Sequence, residues 1–298
     1  MEFKQLTIFK TAAQELNFTR TATILGYAQS SITSHIQSLE DELGLKLFER
    51  IGKRLVLTNP GAKLIKYADQ ILGLQEEAKE AIGQSSEPSG TLTICVSETH
   101  CTYRLPSLLN EFQTKYPNVE LIFRPGICER EFPILLSKGL VDVALLSMSP
   151  AEFENLIVDK LFQEPIVVIC QPEHILTHKK KIKPEDLANQ NLLLTEKCDY
   201  RNKFEDWLEE AKVYPHNRLE LADVEAIKRC VMAGVGIAAL PKIAVQKEVE
   251  EGKLAILPTN SLEFPIFAQL FWHKDKWISP ALRAFLDVTR KVLLGNVK

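Results

Sequence analysis

The stretch AQSSITSHIQSLEDELG, residues 28–44, sets Gln29, Ser30, Ser31, Thr33, Ser34, His35 and Gln37 on one side of a helix. The other side carries Ile32, Ile36, Leu39 and Leu43 at helical spacing. The first set is short, neutral and rich in hydrogen-bonding groups, and no charge appears before Glu40. An ordinary solvated face carries Lys and Glu instead. Gln, Ser and Thr reach base edges in a DNA groove without being drawn off to phosphate, and Gln pairs with adenine. Downstream, Lys46, Arg50, Lys53 and Arg54 stand against Glu49 alone, a local cluster suited to phosphate. The chemistry is base and phosphate recognition. Its bland alternative, a merely solvated polar helix, is weakened by the basic cluster that follows.

Other reactive residue types lead to no recognisable catalyst. His100 beside Cys101 suggests nucleophilic chemistry, but adjacent side chains do not aim at each other and no orienting acid is evident. The chain has no GxSxG, HExxH, P-loop or spaced carboxylate pair. Its six cysteines form no CxxC pair and no His lies at metal-ligand spacing, so neither metal, disulfide framework nor cofactor is expected. AGVGIAALP, residues 233–241, superficially resembles a phosphate loop but lacks GxGxxG and begins inside a predicted helix. It reads as a helix end packed closely on a strand. Cys198, with Lys197 and Arg201 beside it at a predicted helix start, has neighbours that lower a thiol pKa.

These residues need a scaffold. A chain of 298 residues, 45% hydrophobic and 25% charged, is that of a globular protein with two or three domains. No apolar run reaches membrane length and the first residues lack a signal-peptide core, which predicts a cytoplasmic protein with no membrane partner. The net charge of −3 gives no global sign of a DNA binder, so any such surface must be local. Residues 1–58 read as an amphipathic helix, a short helix capped by Thr19, a corner at Gly26-Tyr27, the polar-faced helix, and a basic strand–turn–strand wing with its turn at Gly52. Residues 59–89 read as a helix opened by Pro60 and ending in a GQSSEPSG hinge. Its Leu64, Ala68, Ile71, Gln75, Ala78 and Ile82 form a heptad seam suited to a second copy.

Residues 90–298 alternate strand and helix, which predicts parallel sheets with helices on both faces. The expected module has two lobes, of the periplasmic-binding-protein type. Lobe I covers about 90–160 and 267–298, and lobe II about 161–266, including a helix from Val224 to Leu240. Ligands of such sheets sit beyond the carboxyl ends of the strands. Those ends hold Ser97, Thr99, His100, Cys101 and Thr102; Ile127; Ser147 and Met148; Thr195, Cys198 and Asp199; and Asp223. Helices starting directly after two of them favour an anion.

FTRTATILGYAQSSITSHIQSLEDELGLKLFER, followed by LTNPG, resembles the DNA-binding domain of LysR-type transcriptional regulators, and the resemblance continues in element order along the chain. It implies an α/β protein with an N-terminal winged helix-turn-helix, a dimerising linker helix and an effector-binding module, which regulates transcription and is not an enzyme. Thr19, Arg20 and Thr21 would meet the DNA backbone. Gln29, Ser30, Ser31, Thr33, Ser34 and His35 would read bases, with Arg50, Lys53 and Arg54 as the wing. The family often has Arg where this chain has Ser34, so one strong guanine contact is missing. Ser97, Thr99, His100 and Ser147 match effector-holding positions, and the partners implied are double-stranded DNA, a small anionic effector and further copies of the chain, as a dimer and then a tetramer. In the peroxide-sensing branch a reactive cysteine occupies the place of Cys198, with a partner nine residues on, where this chain has Trp207. A thiol-responsive regulator, an enzyme domain fused to a DNA reader and a purely architectural DNA-binding dimer are the competing readings.

Overall fold

The computed structural model describes residues 1–52, 54–81, 87–124, 131–215, 217–259 and 264–295. Lys53, Ile82, the start of the GQSSEPSG hinge, and Gly126, Ile127 and Cys128 lie outside that set. The N-terminal unit packs α1 (Phe3–Glu15), α2 (Phe18–Leu25) and α3 (Gln29–Leu43) with a hairpin of β1 (Phe48–Ile51) and β2 (Arg54–Leu57). Leu6, Phe9, Ala12, Ile32, Ile36 and Leu39 meet at helical spacing in one core, closed by edge-on contacts of Phe48 with Phe9 and Phe18. The N-cap of α2 is Asn17 rather than Thr19: its Oδ1 accepts from the N–H groups of Thr19 and Arg20, at 3.0 and 3.1 Å. Gly26 at φ +68° turns the chain into α3, and Gly52 at φ +65° turns the wing.

From Asn59 to Ala81 runs α4, which crosses from the DNA-binding unit to the rest of the chain. Its start needs Gly61, because a Cβ there would collide with the Leu47 carbonyl. Ile65 and Ala68 are buried against the N-terminal core, so the Ala68 position of the expected seam is used within one chain. On α4 Tyr67 and Leu74, seven residues apart, are exposed, at 60% and 65%, and Ala78 of the expected seam is exposed as well. Leu64, Ile71 and Gln75 of the expected seam are half-buried.

The remaining chain forms two mixed sheets. The first has the order β4-β3-β5-β12-β6, from β3 (Gly90–Val96), β4 (Val119–Arg124), β5 (Val143–Met148), β6 (Leu156–Gln163) and β12 (Phe267–His273). Only β3, β4 and β5 are parallel; β12 runs antiparallel between β5 and β6. The second has the order β11-β7-β10-β8-β9, from β7 (Ile166–Cys170), β8 (Asn191–Leu194), β9 (Asn217–Glu220), β10 (Ile237–Pro241) and β11 (Ala255–Ile256). There β8 is parallel to β9 and β10, while β7 is antiparallel to β10 and β11. The expectation of parallel sheets fails because the chain crosses twice between the lobes and returns each time in the opposite sense. One crossing follows β6 and the other precedes β12, and they are joined where Glu164 N–H donates to the Ile266 carbonyl at 2.8 Å. Lobe I therefore extends to Gln163, past the boundary expected at 160.

Lobe I is covered by α5 (Glu98–Tyr103), α6 (Leu105–Lys115), α7 (Phe132–Ser137) and α11 (Pro280–Gly295). Phe112, Phe285 and Leu270 form one side of its core, and Phe132 and Phe271 the other. Lobe II carries α8 (Asp199–Glu210), α9 (Val224–Met232) and α10 (Lys242–Glu250). The helix expected to run to Leu240 ends at Met232: Gly234 takes φ +76°, and the apolar run from Ile237 enters the sheet as β10. Gly236 lies against the Asn191 carbonyl at the start of β8, so the glycine-rich segment is a close helix-to-strand passage.

Candidate DNA interface and effector cleft

Gln29, Ser30 and Ser34 are exposed along the first turns of α3, and Ser31, Thr33 and His35 are half-buried beside them. Gln29 and Thr33 are tied together: Thr33 Oγ1 lies 3.1 Å from the Gln29 carbonyl and 3.4 Å from Gln29 Nε2. Arg50 and Arg54 are exposed on the two strands of the wing. Thr19 and Arg20 are exposed at the start of α2, where Arg20 pairs with Glu15 at 2.6 Å. Thr21 is not available to DNA, being fully buried with its hydroxyl donated to the Asn17 carbonyl at 2.9 Å.

Glu40, the first charge along α3, is buried and joins that helix to the wing. Its Oε1 accepts the N–H groups of Leu47 and Phe48 at 2.8 and 3.2 Å, and its Oε2 accepts Lys46 Nζ at 2.7 Å. Charged, multiply bonded carboxylates of this kind are the strong hydrogen bonds of a fold. A lone charge on the apolar side of α3 was the only sequence signal for it.

In lobe I, His100 belongs to a buried network. Arg104 Nη1 lies 3.3 Å from His100 Nδ1. A guanidinium only donates, so Nδ1 accepts and Nε2 keeps its proton for Ser147 Oγ, 3.0 Å away. Ser147 then turns its own proton toward Glu164 Oε2 at 3.5 Å, and Glu164 takes Arg104 Nη1 and Nη2 at 2.8 and 3.0 Å. Burial, with Arg104 adding, holds the His100 pKa down to about 3. His100 is thus neutral at physiological pH and brings no charge to a ligand. Burial raises the Glu164 pKa while Arg104 pulls it back.

The lobes meet through direct bonds. Ser149 N–H, just past β5, donates to Asp199 Oδ2 of α8. Val224 N–H, the first of α9, donates to Glu98 Oε1 at 3.1 Å. The Tyr103 hydroxyl donates to Glu225, and Lys228 Nζ reaches Tyr103 Oη at 3.3 Å. Burial raises the Glu98 pKa, the Val224 N–H opposes this, and Asp223, Glu225 and Glu196 add to the rise. Between these clasps, Ser97 Oγ and Ser149 Oγ are buried with no hydrogen-bond partner among the described residues. Both follow the carboxyl ends of the neighbouring parallel strands β3 and β5.

Of the sequence-chosen residues, Ser97, Ser147, Thr195, Cys198, Asp199 and Asp223 face this seam or the helix starts beside it. Asp223 caps α9 through Ala226 N–H at 2.9 Å, and Cys198 Sγ lies 3.5 Å from Thr195 Oγ1. Thr99 is buried, Cys101 packs on the lobe I core and Thr102 is exposed. Met148 is buried, with its carbonyl taken by Gln269 Nε2 at 2.9 Å. Arg201 donates to the Thr195 carbonyl and to Glu220. Glu98, Ser149 and Glu164 were missed. Glu98 stood inside a segment read only for hydroxyls and His, and Ser149 and Glu164 flank β6, a strand not anticipated.

A winged helix-turn-helix joined by a long helix to a two-lobed α/β module defines a DNA-binding transcription regulator with a small-molecule domain. Residues 3–62 match the family described as bacterial regulatory helix-turn-helix proteins of the lysR family, and residues 85–294 match the LysR substrate binding domain. The chain belongs to the LysR family of transcriptional regulators, and its business is regulation rather than catalysis. It is 46% identical to the HTH-type transcriptional regulator YwqM of Bacillus subtilis (strain 168), over 98% of this chain and 99% of that one. GltR of the same organism is 35% identical, over 97% and 96%. The structure of a full-length OxyR variant from Pseudomonas aeruginosa superposes with a TM-score of 0.78 at 25% identity, covering 99% of this chain and 96% of the other. No helix among the described residues is long and apolar enough to cross a membrane, and no group of three or more His, Cys, Asp or Glu among them could hold a metal ion.

Proposed function

We propose that residues 1–58 bind double-stranded DNA sequence-specifically in the cytoplasm, with Gln29, Ser30, Ser31, Thr33, Ser34 and His35 toward the bases and Thr19, Arg20, Arg50, Lys53 and Arg54 toward phosphates. Residues 59–89 pair two copies through the exposed Tyr67 and Leu74 stripe of α4, and residues 90–298 sense a small anionic effector and add the contacts of a tetramer. The observation that carries the effector reading is the pair of partnerless buried hydroxyls, Ser97 and Ser149, beside Glu98 seated on the α9 N-terminus. A helix N-terminus that already takes a carboxylate from its own chain takes one from a ligand by the same chemistry. The effector displaces Glu98, whose charge burial already disfavours, and accepts hydrogen bonds from Ser97, Ser149 and the amide at the start of α9. That exchange shifts the lobes only by the effector's differential affinity for the two arrangements.

The test is a thermal-shift screen of the full chain against small metabolic anions, repeated on the Ser97→Ala/Ser149→Ala double variant. A ligand that binds the folded state raises the melting temperature. The double variant is expected to lose that rise while still shifting operator DNA. A rise that survives in the double variant rejects these hydroxyls as the binding groups. Glu98→Gln is expected to tighten binding of the same anion, and a weakened response rejects displacement.

A further inference from the structure

A cavity of about 610 Å³ lies between the DNA-binding unit and lobe I, away from the seam between the lobes. Pockets of a few hundred to a thousand Å³ hold small organic ligands. One wall carries Leu16 and Leu57 together with the polar Gln14, Thr58 and Asn59, and the facing wall carries Ile122 and Leu135 of lobe I. Arg124, at the end of β4, and Lys138, after α7, are exposed at its edge, and neither side chain makes an ion pair or hydrogen bond among the described residues. The acid that lines the cavity, Glu15, is already paired with Arg20. Thr93 also lines it: the residue is 5% exposed, both its backbone groups are bonded to Asp142, and its hydroxyl has no partner among the described residues.

The two walls are held together from outside the cavity. Asp69 of α4 pairs with Lys10 of α1 at 2.5 Å and with Lys276 of lobe I at 3.1 Å, and Lys276 pairs with Asp142 at 2.9 Å. The cavity therefore exists only while reader and module are docked. Apolar side chains on both walls, a lone hydroxyl and two cations at the mouth with no partner among the described residues suit one chemical type. The tail of such a molecule lies between the walls, and its head group meets guanidinium and ammonium.

We infer that this junction is a second small-molecule site, distinct from the seam between the lobes, which takes an amphiphilic monocarboxylate and holds the DNA-binding unit against the effector module. Because both walls are needed, the ligand binds the docked arrangement and favours it over any undocked one.

The experiment is isothermal titration of the full chain with sodium octanoate and, separately, sodium benzoate, with benzamide as the uncharged control. Saturable binding of either carboxylate, but not of benzamide, is expected. Arg124→Gln/Lys138→Gln is expected to weaken it by roughly tenfold or more, the usual weight of hydrogen bonds to charged groups. Ala62→Phe, on the α4 wall of the cavity, fills the space and is expected to abolish binding, with unchanged helicity and operator binding as its folding control. Should it misfold, the double charge variant decides alone. Ser97→Ala/Ser149→Ala is expected to leave binding intact, which separates this site from the proposed effector cleft. Three results overturn the proposal: no saturable binding of either probe, equal binding in the charge variant, or binding lost only when Ser97 and Ser149 are changed.

Discussion

Lys276 Nζ lies 3.1 Å from Asp69 Oδ2, joining residues 207 positions apart and fixing the linker helix to the effector module. Both groups are largely buried, and Lys276 keeps a second carboxylate in Asp142 at 2.9 Å. Burial raises the Asp69 pKa, yet Lys276 and Lys10 outweigh it and hold the carboxyl below its ordinary range. Burial lowers the Lys276 pKa, and Asp142 and Asp69 outweigh that in turn, raising it. The Asp69 contribution is present above the ordinary carboxylate pKa and lost as pH falls through its depressed value. That of Lys276 is present below the ordinary lysine pKa and lost as pH rises past its raised one. The clamp therefore holds throughout the neutral range.

Asp69→Asn is expected to cost about 1–3 kcal/mol, less than a fully orphaned buried charge because Lys276 retains Asp142. Calorimetry should then resolve the DNA-binding unit melting ahead of the effector module. A single unshifted transition would show that the clamp does not couple them.

Arg54→Ala removes an exposed wing cation and should weaken binding to every DNA sequence, with a salt-dependence slope shallower by about 1 if one phosphate contact is lost. Gln29→Ala should instead lose discrimination at one base pair, worth about 1–3 kcal/mol. Competition titrations across operator variants at two salt concentrations separate the two. A uniform loss in both variants contradicts the division of roles.

His100 supplies a pH dependence. Its folded pKa of about 3 lies below the ordinary histidine value, so between the two the unfolded chain binds the extra proton. Stability is complete above the ordinary value and drains as pH falls toward 3. Urea unfolding at pH 7.5 and 5, values chosen to bracket the ordinary histidine pKa of about 6.5, should show this loss in the native chain. In His100→Gln the pH dependence should be flatter and the neutral-pH stability lower. An equal pH dependence in both would place its origin in other groups.

Self-association is read from α4. Leu74→Asp puts a charge on the exposed stripe without touching the core that holds Ile65 and Ala68. Sedimentation should show a dissociated species and gel shifts a large loss of operator affinity. Unchanged sedimentation would rule out Leu74 as a pairing residue.

The recognition half was legible in the sequence because its signals are local: an apolar stripe at Ile32, Ile36 and Leu39, a corner glycine and a run of cations. What escaped was non-local. β6 carries no clean alternation because it is half-buried beside β12, a strand more than a hundred residues away. The segment from Val224 to Leu240 reads as one apolar helix until Gly234 is seen to break it and Gly236 to sit on β8. Thr21 and His100 were chosen by residue type, but burial decides what a hydroxyl or an imidazole does. Glu98 and Glu164 matter through partners on the other lobe or across lobe I, which spacing along the chain does not reveal.

Glu40 has a mechanical consequence. Its carboxylate pins the far end of α3 to the first residues of the wing, so the helix and the hairpin proposed to meet DNA travel as one stiff lever. Bending that lever would strip a buried carboxylate of two amide partners, and small rearrangements at a distant site do not supply such energy. On the proposed function, a signal from the effector module would reach DNA by moving α3 and the wing together. Under that reading, the bases read would stay constant while the distance and angle between paired readers change. Such a regulator keeps one operator vocabulary and alters its grammar.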